Sequence, residues 1–272
     1  REECLIEIYR MVRAGECATV ASAEFRLEGL FYGRRRYEIS NVGLDKFNKK
    51  LSLFPRIAGF ELAQPVANPF TGEIKAIGGA IGEKDRNFGW NYATDAHRPA
   101  GSSAKPLASY GPAMDLGLIT ESTLVDDSPD IQLRGTYWYP RNSGGSYDGI
   151  ITIWDALVRS KNTVAAQIID KLTPSVSFEY LTERMGFQLV EADRDYAPLA
   201  LGQFTNGVTV REMAQAYTSF PNDGEMTYAR SYSLITDSNG NTVLENGMRT
   251  SHVFSVDTAR CMTEMLEAAA WY

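Results

Sequence analysis

A serine and a lysine three residues apart, Ser102 and Lys105 in the run GSSAKP of residues 101–106, constrain this chain more than any other feature. The run predicts the start of a helix, and one helical turn places both side chains on the same face. The lysine amine can then accept the serine proton, provided that burial or a nearby cation lowers its pKa from about 10.4. Free N–H groups at the start of the helix would stabilise a developing oxyanion.

An isolated Ser-x-x-Lys pair is common by chance, and its alternative interpretation is a helix cap followed by a solvated lysine. The scarcity of histidine favours the catalytic interpretation. The chain contains only His97 and His252, and its three cysteines are widely scattered, so a histidine-based triad or a zinc site is hard to build. We therefore expect a lysine as the base for Ser102, and neither a metal nor a cofactor.

Composition narrows the function classes further. The 272 residues carry a net charge of -7, which argues against a surface that coats nucleic acid. No apolar stretch approaches the roughly 20 residues that span a bilayer, and the polar start shows no signal peptide. The missing initiator Met suggests that the sequence begins inside a longer reading frame.

Local patterns predict alternating helices and short strands. A half-buried strand is expected at residues 73–77, a hairpin at Asn239-Gly240, and a loop over residues 116–140 in which Asp126 and Asp127 are turn carboxylates. The predicted helices are residues 1–32 with a break at Gly15, 152–158, 163–172, 176–185, 209–220, and a last helix from the N-cap Ser255 to Ala270.

A second motif, Ser160-x-Asn162, follows the Ser-x-x-Lys pair. By itself it could end one helix and cap the next. Other short runs accompany it in a fixed order: TGEIKAIGG at residues 71–79, NYATDA at 91–96, WYPRN at 138–142, YDG at 147–149, SKNTVA at 160–165, LALG at 199–202 and EMAQAY at 212–217.

Together these motifs resemble the transpeptidase domain of class A penicillin-binding proteins, members of the serine penicillin-recognising acyltransferases. The resemblance covers residues 69–272 and implies an α+β fold like that of serine β-lactamases, with helices around an antiparallel sheet. It also implies a location on the outer face of the bacterial cell membrane. The family is membrane-anchored, although this chain shows no anchor.

The resemblance implies a peptidoglycan D,D-transpeptidase. Ser102 would attack a D-Ala-D-Ala stem peptide, with Lys105 as its base, Ser160 as a proton relay and Asn162 holding Lys105 and the substrate amide. β-Lactams would acylate Ser102 covalently. Ser103, Trp138 and Tyr147 are candidate substrate-binding residues. For the two aromatic residues, a core or groove-wall position is the alternative.

Some residues depart from the family pattern. Tyr92 replaces an arginine, and Pro99-Ala100 replace Gln-Pro before the nucleophile. The sequence also contains no Lys-Thr-Gly, the family's third catalytic element, so the domain is expected to be C-terminally incomplete and its turnover impaired. A β-lactam-binding sensor without turnover and an inert fused fragment remain as alternatives.

Residues 1–68 carry a different resemblance. The runs IYRMVRAGE at residues 8–16 and RYEISNVGLDKFNKKL at 36–51 are similar to a segment of the bacterial RNA polymerase β subunit. None of the parts of that subunit that hold its catalytic metal is matched, so no polymerase activity and no nucleic-acid partner is expected. The pattern predicts a mainly helical segment, fused to the second sequence near residues 66–72.

Overall fold

The computed structural model describes residues 64–78, 90–134 and 136–272. The helices predicted for residues 1–32 and nearly all of the polymerase-like segment lie outside the described residues. The described part mixes helices with short antiparallel strand pairs, which confirms the α+β class.

Seven α-helices follow one another in the described part of the chain. They are α1 (Gly111–Asp115), α2 (Ile153–Val158), α3 (Asn162–Leu172), α4 (Pro174–Glu179), α5 (Tyr196–Leu201), α6 (Val210–Tyr217) and α7 (Val256–Trp271). Three 3₁₀ turns (Gly101–Ala104, Ser143–Gly145, Glu191–Asp193) and two π-helical turns (Pro106–Tyr110, Tyr180–Arg184) complete the helical elements.

The predicted helix boundaries hold to within a few residues because side-chain caps specify several of them. Thr152 caps α2 through the Asp155 N–H, and Ser255 caps α7 through the Thr258 N–H. Thr209 and Glu212 form a reciprocal capping box at the start of α6. The longest described helix, α7, has 16 residues, and no described helix combines the length and apolar character needed to cross a membrane.

The strands of the described residues form four antiparallel pairs. β1 (Gln64–Ala67) pairs with β2 (Ile74–Gly78), β3 (Leu124–Asp127) with β4 (Gly149–Thr152), β5 (Glu225–Thr227) with β8 (Thr250–His252), and β6 (Leu234–Thr236) with β7 (Thr242–Glu245). The β6–β7 pair is the hairpin predicted from Asn239-Gly240.

Two strand predictions need correction. The stretch of residues 116–140 is not all loop, since β3 lies within it and pairs with β4 about 25 residues later in the chain. The sequence of β3, LVDD, is short and half charged, so it carries no strand pattern of its own. It forms a strand because it pairs with β4. The expected half-buried strand exists as β2, but it is exposed from Lys75 to Gly78. The half-burial predicted from its alternating charged and apolar residues is therefore wrong.

The centre of the fold is the Ser102 helix, which we define as residues 101–115. A 3₁₀ turn opens it, a π-helical turn follows, and α1 completes it. The π-helical turn begins at Pro106, whose carbonyl accepts the Gly111 N–H five residues on. Apolar side chains from the other helices surround the Ser102 helix, and Leu107, Ala108, Tyr110 and Ala113 are all completely buried.

The end of α5 packs directly on the first turn of this helix. Gly202 ends α5 in the left-handed conformation (φ 64°), and its carbonyl accepts the Gly101 N–H at 3.1 Å. A Cβ atom at Gly202 would lie 2.2 Å from the Gly101 carbonyl oxygen. Glycine is therefore required here both for its backbone angle and for the space.

We expect Gly202→Ala to lower the free energy of unfolding by about 2–5 kcal/mol, the left-handed penalty plus overpacking. Urea denaturation followed by circular dichroism measures it. Gly240→Ala is the matched control, because Gly240 also has a positive φ (84°) but nothing lies within 4 Å of a Cβ placed there. Equal losses in the two variants would contradict the close contact between α5 and Gly101.

Candidate active site

Lys105 lies at the centre of a convergent set of polar groups. Its side chain is 1% exposed, which rules out the solvated lysine of the alternative interpretation. The amine Nζ donates to the Ser160 carbonyl at 2.7 Å, to Ser160 Oγ at 3.0 Å and to Asn162 Oδ1 at 2.6 Å. The structure thus brings together three of the four predicted catalytic residues across 55 to 57 residues of sequence.

Lys105 is buried, and its three acceptors are all uncharged. Burial disfavours the ammonium form and lowers the pKa of Lys105 from 10.5 to about 8. A carboxylate partner would have opposed this shift. A substantial fraction of the amine is therefore neutral near physiological pH and able to accept a proton.

Ser102 lies one turn before Lys105 and is exposed to solvent. It is the second residue of the 3₁₀ turn, and the Lys105 N–H donates to its carbonyl. Among the described residues no hydrogen bond joins Ser102 Oγ to Lys105 Nζ. Such catalytic hydrogen bonds are often long without substrate and tighten when it binds, so an exposed hydroxyl one turn from a buried amine remains a suitable nucleophile.

Ser160 holds its position through an unusual helix end. The Ser160 and Lys161 N–H groups donate to the carbonyls of Leu157 and Ala156, both at 2.9 Å, which closes α2 in a Schellman motif. The residue at this point of the motif is left-handed and usually glycine, yet here it is Ser160 with φ 53°. The strained backbone aims both oxygen atoms of Ser160 at Lys105.

Asn162 is the first residue of α3, and Ser160 follows the end of α2. The two residues therefore lie at helix ends, as the alternative interpretation expected, and both also contact Lys105. The N-cap position of α3 is Lys161, which supplies no side-chain cap. The buried Asn142 replaces it, and its Oδ1 accepts the Asn162 N–H at 2.8 Å and the Thr163 N–H at 3.3 Å.

Lys161, between the two motif residues, has the opposite environment to Lys105. Its Nζ contacts Asp127 Oδ2 at 2.8 Å and Asp148 Oδ2 at 2.6 Å. Burial disfavours its charge, but the hydrogen bonds to Asp127 and Asp148 outweigh burial and raise its pKa. Lys161 therefore stays protonated, and Lys105 is the amine suited to act as a base.

The prediction that Asp127 is a turn carboxylate is wrong. Asp127 is the last residue of β3 and is completely buried. Burial raises its pKa, but hydrogen bonds from Lys161, Thr163, Asn142 and the Asp148 N–H lower it more, so it remains ionised. Its neighbour Asp126 also belongs to β3.

The three predicted substrate-binding residues lie apart from the hydrogen bonds of Lys105. Ser103 is exposed, and its hydroxyl donates to the Ala100 carbonyl at 2.6 Å. Trp138 is partly buried and packs against the hydrophobic core, in keeping with a wall position. Tyr147 is also partly buried. Their contact with substrate stays a prediction.

Sequence reasoning missed the buried partners of the site. Asn142 and Lys161 lie inside motifs but were not predicted to support the site, and Asp127 was wrongly predicted to be a turn carboxylate. The available signal was a doublet of acids followed by Ser-Pro, together with a lysine between Ser160 and Asn162. Within the described residues, no cluster of His, Cys, Asp and Glu could hold a metal ion.

The chain is similar in sequence to known proteins. Residues 65–270 match the penicillin binding protein transpeptidase domain. Penicillin-binding protein 1A of Clostridium botulinum is 36% identical over 208 residues, which is 72% of this chain and 24% of that protein. The chain thus spans about a quarter of the length of this curated relative.

Two solved structures are similar in fold. Penicillin-binding protein 1A of Haemophilus influenzae has a TM-score of 0.64 and 26% identity, over 76% of this chain and 35% of that one. Penicillin-binding protein A of Mycobacterium tuberculosis, solved as a ceftriaxone acyl-enzyme complex, has a TM-score of 0.61 and 17% identity, over 77% of this chain and 56% of that one.

We expect Ser160→Gly to stabilise the fold while damaging the site. Glycine removes the left-handed strain, which raises the free energy of unfolding by about 1 kcal/mol, but it also removes the Ser160 hydroxyl from Lys105. Urea denaturation measures the first effect, and the rate of labelling by a fluorescent penicillin measures the second.

Asp223→Gly is the control for Ser160→Gly. Asp223 is exposed and also has a positive φ (50°), so this change relieves the same strain in a turn outside the site. Labelling should be unchanged in Asp223→Gly and slowed in Ser160→Gly. A destabilised Ser160→Gly variant would contradict the assigned strain.

Proposed function

The chain belongs to the penicillin-binding protein transpeptidase family, and on that premise we propose that residues 69–272 act as a serine D,D-transpeptidase unit on peptidoglycan stem peptides. The observation that carries the proposal is the buried amine of Lys105, one turn from Ser102, whose hydrogen-bond partners among the described residues are Ser160 and Asn162. Residues 1–68, the polymerase-like segment, take no part in this chemistry. The reaction takes place on the outer face of the cell membrane.

In the acylation step, Ser102 Oγ attacks the carbonyl carbon of the penultimate D-Ala, and its proton passes to the neutral Lys105 amine. The peptide bond breaks, and the terminal D-Ala leaves with a proton on its nitrogen. The product is an ester between the stem peptide and Ser102. In the second step an amine from another stem attacks that ester, forms the cross-link as an amide bond and returns the proton to Ser102.

Ser160 is the relay for the proton that reaches the leaving amine. Lys105 Nζ has three bonded partners, two oxygens of Ser160 and Asn162 Oδ1. A carbonyl or amide oxygen only accepts hydrogen bonds, whereas the Ser160 hydroxyl both accepts and donates. It can therefore take a proton from Lys105 and pass its own to the departing nitrogen.

A β-lactam follows the first step, because its strained amide presents the same carbonyl to Ser102 and its opened ring stays attached as an acyl group. The same acylation chemistry admits a second candidate, a penicillin-binding sensor that is acylated at Ser102 but does not turn over.

We expect a fluorescent penicillin to label the intact chain covalently and Ser102→Ala to abolish the label. Ser238→Ala is the matched control, because Ser238 is an exposed serine in the turn between β6 and β7. Peptide mass spectrometry after digestion should place the adduct on Ser102. Labelling that survives Ser102→Ala, or no labelling at all, would overturn the proposal.

Release of D-Ala from a donor peptide ending in D-Ala-D-Ala, with transfer to an added D-amino acid, separates the two candidates. Transfer above the Ser102→Ala background supports the transpeptidase. Labelling without transfer supports the sensor.

We expect the rate of penicillin acylation to rise with pH and level off above a midpoint of about 8, the pKa of Lys105. Only the neutral amine accepts the Ser102 proton, so the rate follows its fraction. Labelling reactions quenched at timed intervals, at constant ionic strength between about pH 6 and pH 10, measure the pH dependence of the acylation rate. Lys105→Arg should lose acylation at every pH, because a guanidinium does not deprotonate. A flat profile would contradict the role of Lys105 as base.

A further inference from the structure

We propose that the buried carboxylate of Asp127 is a positioning residue for acyl transfer: through Lys161 and Asn142 it holds the turn of Ser160–Asn162 against the Lys105 amine. This inference rests on the proposed function. It assigns a role to a residue that touches neither Ser102 nor Lys105.

Asp127 accepts four hydrogen bonds, two on each oxygen. Oδ1 accepts Asn142 Nδ2 and Thr163 Oγ1, both at 2.5 Å. Oδ2 accepts Lys161 Nζ at 2.8 Å and the Asp148 N–H at 3.0 Å. Because every partner is a donor, only an ionised carboxylate satisfies all four.

Each of these partners fixes a different part of the turn. Lys161 belongs to the turn itself, so its ion pair anchors the residue between Ser160 and Asn162. Asn142, oriented by Asp127, turns its Oδ1 toward the first N–H groups of α3. Thr163 ties the first turn of α3 to the same carboxylate. The turn is thus held from its middle and from its end.

The carboxylates of the network are paired with cations. Asp148 bridges Lys161 and Arg159, whose Nη1 lies 3.1 Å from Asp148 Oδ2, and Arg159 also lies 4.0 Å from Asp155. Both charged contacts of Lys161 are made to Asp127 and Asp148. Ser160 and Asn162 are left to offer Lys105 only neutral oxygens.

A buried ion pair of this kind is weak evidence for stability, because the cost of desolvation offsets much of the attraction. Its effect here is to fix the geometry of the Ser160–Asn162 turn. Ser160 occupies a backbone conformation that serine disfavours, and relaxation of the turn would withdraw two of the three acceptors of Lys105. The network opposes that relaxation.

The test compares Asp127→Asn with Asp115→Asn in the intact chain. Asp115 is a matched carboxylate at the far end of the Ser102 helix, where it accepts hydrogen bonds from Tyr180, Arg184 and the Ser255 N–H. Rates of fluorescent-penicillin acylation over a range of concentrations separate the noncovalent Kd from the acylation rate constant.

We expect Asp127→Asn to lower the acylation rate constant by about 100-fold, as a misplaced catalytic group does, with Kd changed by less than about threefold. Asp115→Asn should lose comparable stability and keep its acylation rate. A normal rate constant in Asp127→Asn, or an equal loss in Asp115→Asn, overturns the inference.

If Asp127→Asn does not fold, two variants of Thr163 test the inference instead. Thr163→Val keeps the shape but removes one donor to Asp127, and Thr163→Ser restores the hydroxyl. The inference requires slow acylation in the first and rescue in the second, and equal rates in the two variants overturn it.

Amide hydrogen exchange of Ser160–Thr163 gives a readout that does not depend on activity. Exchange should be faster in Asp127→Asn, or in Thr163→Val, than in Asp115→Asn, and equal protection overturns the inference. If the unaltered chain takes no penicillin label, the proposed function fails, while the exchange experiment still decides whether Asp127 holds the turn.

Discussion

The structure depends on one energetically costly feature, the Lys105 amine buried within the helical core. Lys105 sits on a helix whose following residues, Leu107 to Tyr110, are all fully buried. An amine there must find acceptors, since an unpaired buried charge is strongly disfavoured. They come from a turn more than fifty residues further along the chain. The partners of Lys105 thus lie where α2 ends and α3 begins.

Two lysines of this site show how environment assigns chemical roles to one type of side chain. Lys105 and Lys161 are both nearly buried, at 1% and 6% exposed. Lys105 faces neutral oxygens, and its pKa falls to about 8, whereas Lys161 faces two carboxylates, and its pKa rises. One short turn thus contacts an amine with a lowered pKa and itself carries a lysine that is paired with two carboxylates. Burial lowers the pKa of Lys105, whereas at Lys161 the two carboxylates outweigh the effect of burial.

The Ser160–Asn162 turn combines strain and support. A helix end that usually takes glycine carries serine, and both its hydroxyl and its carbonyl oxygen accept hydrogen bonds from Lys105. The following helix lacks a local cap and receives one from Asn142, twenty residues upstream. Strained residues persist where the surroundings over-determine them. Here the surroundings are β3, the segment before β4 and the first turn of α3.

The sequence by itself located most of the described helices, although not α5, and it singled out the candidate site residues. Capping residues such as Thr152, Thr209 and Ser255 act within one turn, so local patterns located their helices. The order of the motifs likewise pointed to Ser102, Lys105, Ser160 and Asn162. The tertiary structure alone decided that Lys105 has neutral partners while Lys161 has carboxylates, that Asp127 is buried, and that β2 is exposed. These properties depend on burial and on partners distant in sequence, and neither burial nor a distant partner can be seen in a local pattern.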